Sequence, residues 1–210
     1  MTNAADRRGR PRVEGTGRLE AFSDGVFAIV VTLLILEVRL PEVEGEGSAA
    51  FLAAFGAVAP KLFSFTVSFI TVAIYWVNHH HFFSRVTHTD WKLLWANNLL
   101  LFFLTVVPFS TAVLGDHPTE AVPVAFYGLN LGLAALAFTV MGRYVFFGGQ
   151  LVDPAVPHAD RVAEWRRSWI GTLAYLATAI LAFVWVPAAL AIFVVVPLAF
   201  VVPRLLGGDG

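Results

Sequence analysis

Cysteine is absent from the 210-residue chain, which removes a disulfide framework, thiolate metal ligation and thiol nucleophilic chemistry at once. Charge is scarce as well. Only 14% of residues are Asp, Glu, Lys or Arg, against 58% hydrophobic, and the mean hydropathy is +0.73. A soluble core cannot hide that much apolar surface, so the composition is that of an all-α integral membrane protein. The net charge of −1 says little, because the charges collect at the N-terminus and between long apolar runs, as expected when charge is expelled from hydrocarbon. No nucleophile–base–acid constellation, phosphate-binding glycine loop or nucleotide motif is present, which points away from an enzyme. The pair Gly148-Gly149 reads as a turn.

What is present is a series of apolar segments, each long enough for the roughly 20 helical residues that a bilayer requires. The first runs from Leu19 to Leu40, ended by Pro41 and the acids Glu42, Glu44 and Glu46. The second starts near Ala49 and reaches Asn78-His79-His80-His81; it exceeds one span, so its beginning around Pro60 and Lys61 is expected to be interfacial or kinked. The third spans Trp91 to Leu114 and the fourth Val122 to Phe147. After a polar connection from Gly148 to Arg167, the run from Trp169 to Val202 suits two helices divided near Trp185 to Pro187. Pro108 and Pro197 inside apolar runs read as kinks. The expected organisation is a disordered cytosolic tail over 1–17, a six-helix membrane domain over 18–205 and a short C-terminal tail over 206–210.

Arginine and lysine placement orients these segments, since cytoplasmic flanks carry the positive excess. With the N-terminus inside, the inner segments hold Arg7, Arg8, Arg10, Arg12, Arg18, Arg85, Lys92, Arg143, Arg161, Arg166, Arg167 and Arg204, and the outer loops hold only Arg39. Six crossings with both termini cytoplasmic fit this pattern; five or seven would leave Arg204 outside. The segment after the tail lacks a small-residue cleavage site, so it does not read as a cleaved signal peptide. The few tail arginines are expected to meet anionic membrane lipid rather than nucleic acid.

Function is sought in what does not belong in a membrane. The first segment holds Arg18, Glu20, Ser23, Asp24, Thr32 and Glu37. Arg18 and Glu20 suit interfacial anchoring, whereas Asp24 lies within the apolar run and needs a partner from another helix. At about 100° per residue, Ile29, Thr32, Leu33 and Leu36 share one stripe, and Asp24 points roughly 130° from its centre. Asp24 therefore suits contact between helices. The stripe faces either a pore or another helix, and geometry leaves both open; the Thr32 hydroxyl is equally able to bond back to its own helix. His79, His80 and His81 invite a metal reading, but consecutive helical residues diverge by about 100° and cannot converge on one ion, so no metal site is expected.

Arg18-Leu-Glu-Ala-Phe22-Ser23-Asp24, followed by the apolar stretch through Ile29, Thr32, Leu33, Leu36 and Glu37, resembles the first-helix signature of the transmembrane protein 175 family of lysosomal potassium channels. Tyr75-Trp76-x-Asn78-His79-His80, Asn97-Asn98 and Pro108-Phe109 extend the likeness. It is strong through about Leu114 and mainly one of hydropathy afterwards. A single copy with six helices resembles the prokaryotic members, which the resemblance makes homotetramers around four first helices. It implies hydrophobic constrictions at Ile29, Leu33 and Leu36, and a ring of Thr32 hydroxyls near a permeating potassium ion. Arg18, Phe22, Ser23 and Asp24 are then expected to brace the first helix, with Trp76, His79, His80 and Asn97 as candidate partners. No cofactor is implied. No Thr-Val-Gly-Tyr-Gly filter is present, so a stacked carbonyl cage is not the expected source of selectivity; a narrow apolar neck also permits gating by dewetting. The alternative reading is a proton-coupled secondary transporter or proton-permeable channel using Asp24 and the cluster His79 to His81, although no internal repeat or broken-helix pair supports a carrier.

Overall fold

The computed structural model describes residues 15–148 and 151–205. Among the described residues the chain is mainly helical, with an isolated antiparallel bridge pairing Val86 and Val152. Most of the expected tail over 1–17 lies outside the described residues, as does the whole of 206–210. The helices are α1 (Gly17–Leu36), α2 (Ser48–Phe83), α3 (Trp91–Thr105), α4 (Val107–Asp116), α5 (Ala121–Phe147), α6 (His158–Leu181) and α7 (Val186–Leu205).

Several boundaries differ from the expected ones, for local reasons. α1 stops at Leu36 rather than Leu40, because Pro41 disfavours helix in Leu40 before it. The turn that follows uses Gly45 and Gly47 at φ +100° and +89°, a region costly for side chains with a Cβ. The third span is two helices, α3 and α4, meeting at Val106. Pro108 has no N–H for the Leu104 carbonyl and its ring crowds that carbonyl, so the ladder breaks there; Val106 N–H bonds back to Phe103 O instead. The two together form one span, which gives six helical units. α6 begins at His158, inside the expected polar connection, because the segment 158–167 forms an amphipathic helix that carries its charges on from the loop.

Four units are long and apolar enough to cross a membrane, namely α1, α2, the α3–α4 pair and α5; Val186–Val201 of α7 is a shorter apolar helix. The protein is therefore a multi-pass membrane protein. α2 has 36 residues, about 54 Å at roughly 1.5 Å per residue, well beyond a hydrocarbon core of about 30 Å. Two ion pairs bracket its membrane stretch: Lys61 Nζ to Asp116 Oδ1 at 2.6 Å at one end and Arg85 to Glu164 at the other. Residues 61 to 85 cover roughly 36 Å, close to one crossing. Pro60 is accommodated within the continuous helix just before the first pair.

α5 is the axis of the subunit, with 67% of its most apolar stretch buried against 28% for α1. It packs tightly on α6 through two glycines one turn apart. A Cβ on Gly128 would sit 3.3 Å from Ala179 N and Tyr175 O, and one on Gly132 would sit 2.6 Å from Leu176 Cδ2 and 3.0 Å from Leu176 N. This small-xxx-small spacing lets backbones approach in the absence of a hydrophobic driving force. Thr139 and Thr172 join hydroxyls at 2.9 Å across the same interface.

Candidate functional site

α1 has two unlike faces. Leu19, Ser23, Phe27, Val30 and Leu34 recur at three- and four-residue spacing and are buried against α2, α3 and α4. Ile29, Thr32, Leu33 and Leu36 form the opposite stripe, and the exposures of 59%, 41% and 60% for Ile29, Leu33 and Leu36 show that nothing in the subunit covers it. Thr32 Oγ1 donates to Ile29 O at 2.9 Å, so its proton is held by its own helix while its oxygen lone pairs face outward.

The buried face is fastened by a directional chain of hydrogen bonds. Ser23 Oγ donates to Leu19 O at 2.8 Å, and Asn97 Nδ2 of α3 donates to Ser23 Oγ at 2.9 Å. With its amide nitrogen committed, Asn97 presents Oδ1 to His79 Nε2 of α2, 2.9 Å away, and His79 must be the donor. Ser23, His79 and Asn97 are 0%, 2% and 0% exposed; each would be costly to bury without these partners. The imidazole sits edge-on to Phe27, with centroids 5.4 Å apart, and tilted on Phe83 at 4.5 Å. Beside this chain, Trp76 Nε1 donates to Asp24 Oδ1 at 2.9 Å, and His80 stacks on the Trp76 ring.

The structure thus brings together Ser23, Asp24, Trp76, His79, His80 and Asn97. It does not bring in Arg18 or Phe22. Both are exposed within the subunit, and Arg18 makes no hydrogen bond or ion pair among the described residues. The reason is helical phase: Phe22 lies about 100° from Ser23, on the side of the uncovered stripe. The three histidines also part company. His79 is buried toward α3, His80 lies on Trp76, and His81 points into a cleft bounded by α2, α5, α6 and α7. They do not form a common site.

Sequence reasoning passed over a second polar knot. Ser68 Oγ lies 2.7 Å from both Thr111 Oγ1 of α4 and Tyr127 Oη of α5, and Asn130 Nδ2 donates to Ser110 Oγ at 3.2 Å. The signal was available as Ser64, Ser68, Thr71, Tyr75 and His79, spaced by four, three, four and four residues along one side of α2.

The family model for the endosomal/lysosomal potassium channel TMEM175 matches residues 18–108. A potassium channel of Streptomyces collinus is 41% identical over 180 residues, covering 84% of this chain and 86% of that one. A potassium channel of Chamaesiphon minutus is 34% identical over 178 residues, covering 83% and 87% respectively. The crystal structure of a lysosomal potassium-selective channel TMEM175 homologue from Chamaesiphon minutus superposes with a TM-score of 0.79 at 31% identity, over 89% of this chain and 96% of the other. With a relative this similar over most of both chains, and the first-helix signature seated as described, the chain belongs to the endosomal/lysosomal potassium channel TMEM175 family.

Proposed function

We propose that this chain is the subunit of a potassium channel in the cell membrane: a homotetramer, with both termini cytoplasmic, in which four α1 helices surround a central pore. The observation that carries the reading is the uncovered α1 stripe. A helix fastened on one face by buried polar bonds presents its other face in a fixed orientation, and Ile29, Leu33 and Leu36 on that face make a row of apolar constrictions when four copies converge. Thr32 places oxygen lone pairs between these levels, the one polar group on the stripe available to a partly dehydrated potassium ion. The relatives named as potassium channels support the choice of ion. Clustering of arginines toward the ends of α2 and α5 and the start of α6 supports the orientation. No cofactor has a role in such a passive pathway.

Potassium flux from proteoliposomes under an electrical driving force tests this directly. Wild type is expected to pass potassium passively and in preference to sodium, Ile29→Asn to change rate or selectivity by tenfold or more, and Thr32→Ala to weaken the preference. If a folded Ile29→Asn protein kept the wild-type rate and selectivity, the stripe would be a lipid or packing face and the pore assignment would fail.

A further inference from the structure

A cleft of about 950 Å³ lies between α2, α5, α6 and α7, and no residue of α1 lines it. That volume is at the upper end of ordinary ligand sites, roughly 300–1,000 Å³. Its two ends differ in chemistry. Near the ends of α2 and α6 that share the Arg85–Glu164 ion pair, it is lined by Asn78, His81, Asp160 and Arg167. Further in, the walls are Ile74, Ala135, Phe138 and Val196. Water alone would leave the aliphatic and aromatic walls wet, and a purely apolar occupant would leave the charged end unsolvated. The occupant that satisfies both ends is amphiphilic.

Its headgroup chemistry is set by the charges. Arg85 and Glu164 neutralise each other. Arg167 lies with its guanidinium 5.4 Å above the Phe200 ring and makes no hydrogen bond or ion pair among the described residues, so its N–H fork is open to an anion. Asp160 stands two helical turns closer to the start of α6 than Arg167 and lines the cleft with it; it calls for a hydrogen-bond donor beyond the anion. Gly171, one turn deeper than Arg167, is buried, yet a Cβ added there would meet nothing within 4 Å, so the space beside it is open.

The geometry points to a lipid site separate from the α1 face: a membrane glycerophospholipid whose phosphate meets Arg167, whose headgroup donates a hydrogen bond to Asp160, and whose acyl chain lies along Ile74, Phe138 and Val196. Basic side chains in pockets between membrane helices are a known means of holding such headgroups.

Native mass spectrometry of the delipidated full chain in detergent tests this. The probes are phosphatidylglycerol, which has headgroup hydroxyls, phosphatidylcholine, which has no headgroup donor, and oleate. Phosphatidylglycerol is expected to be retained at one per subunit and at least threefold better than phosphatidylcholine. Retention should fall fivefold or more in Arg167→Gln and be lost in Gly171→Leu, whose Cβ meets nothing within 4 Å and whose longer side chain occupies the cleft. Arg166→Gln, beside the cleft but not lining it, should retain the lipid. Unchanged retention in Gly171→Leu, or an equal loss in Arg166→Gln, would overturn the site, as would no retained lipid in wild type, which would make the cleft aqueous. Full displacement by oleate at equal concentration would overturn the phospholipid assignment. A smaller assembly mass in Gly171→Leu would assign the cleft to a neighbouring subunit instead.

Discussion

At the scale of single residues, Asn97 holds the two ends of the α1 brace, and each end fails differently without it. Asn97→Leu leaves the His79 Nε2–H and the Ser23 oxygen without their partner. Measured interhelical hydrogen bonds in membranes average about 0.6 kcal/mol and reach about 1.7, so the loss of two is expected to cost about 1–3 kcal/mol in reversible unfolding in mixed micelles. Trp76→Phe removes the exposed bond to Asp24 and trims the ring on which His80 stacks, and is expected to cost less than half as much. If the order were reversed, the buried chain would not be the principal fastening. Ser23 and Asp24 were legible in the sequence because a carboxylate and a hydroxyl stand out in an apolar run. The choice among His79, His80 and His81 depended on helical phase, which the spacing of Ser64, Ser68, Thr71 and Tyr75 carries but no single residue does. Phe22 and Arg18 do not join this network within the subunit, since membership of a motif does not fix which face a residue occupies.

At the scale of helices, the fold depends on where backbones are allowed to touch. Gly132→Leu is expected to push α6 off α5, lowering the melting temperature by 10 °C or more, since the added side chain meets Leu176 backbone as well as its tip. Gly132→Ala should cost less, and Gly171→Ala, whose Cβ meets nothing within 4 Å, should cost nothing, so the three variants separate a close approach from a mere helix glycine. A Gly132→Leu protein that melted with wild type would show that α5 and α6 do not rely on that approach. Element existence was readable from hydropathy, because an apolar run of sufficient length has few alternatives in a bilayer. The break at Val106 was readable only as a kink, since Pro108 announces a lost hydrogen bond but not how far the ladder is interrupted. The start of α6 was hidden because charged residues suggest a loop until their helical spacing is considered.

At the scale of the assembled molecule, α1 is the edge of the subunit and α5 its centre. If four edges meet at a common axis, outward positions on α1 come close to their own copies, and outward positions on α6 do not. The chain lacks cysteine, so a single introduced thiol reports its own neighbours. Leu33→Cys is expected to form disulfide-linked dimers on mild oxidation, and Ile180→Cys, which is 74% exposed on α6, to remain monomeric on a non-reducing gel. Cross-linking at Ile180 and none at Leu33 would place the symmetry axis elsewhere. Sequence could not supply this scale by itself: a stripe of Ile, Thr and Leu has the same spacing whether it faces lipid, a helix or three copies of itself.

The brace on α1 also bears on the order in which the chain is made. Ser23 and Asn97 are 74 residues apart, and α1 and α2 leave the ribosome before α3 exists. During that interval the first hairpin lies in the bilayer with the Ser23 hydroxyl and the His79 ring lacking their shared partner, so its hold on α1 is provisional. Arrival of α3 completes the hydrogen-bond chain in one step and sets the rotation of α1 about its own axis. The direction in which the stripe faces is thus completed by a helix synthesised after it, and a nascent chain halted before Trp91 has only the Trp76–Asp24 bond and the packing of α2 to hold it.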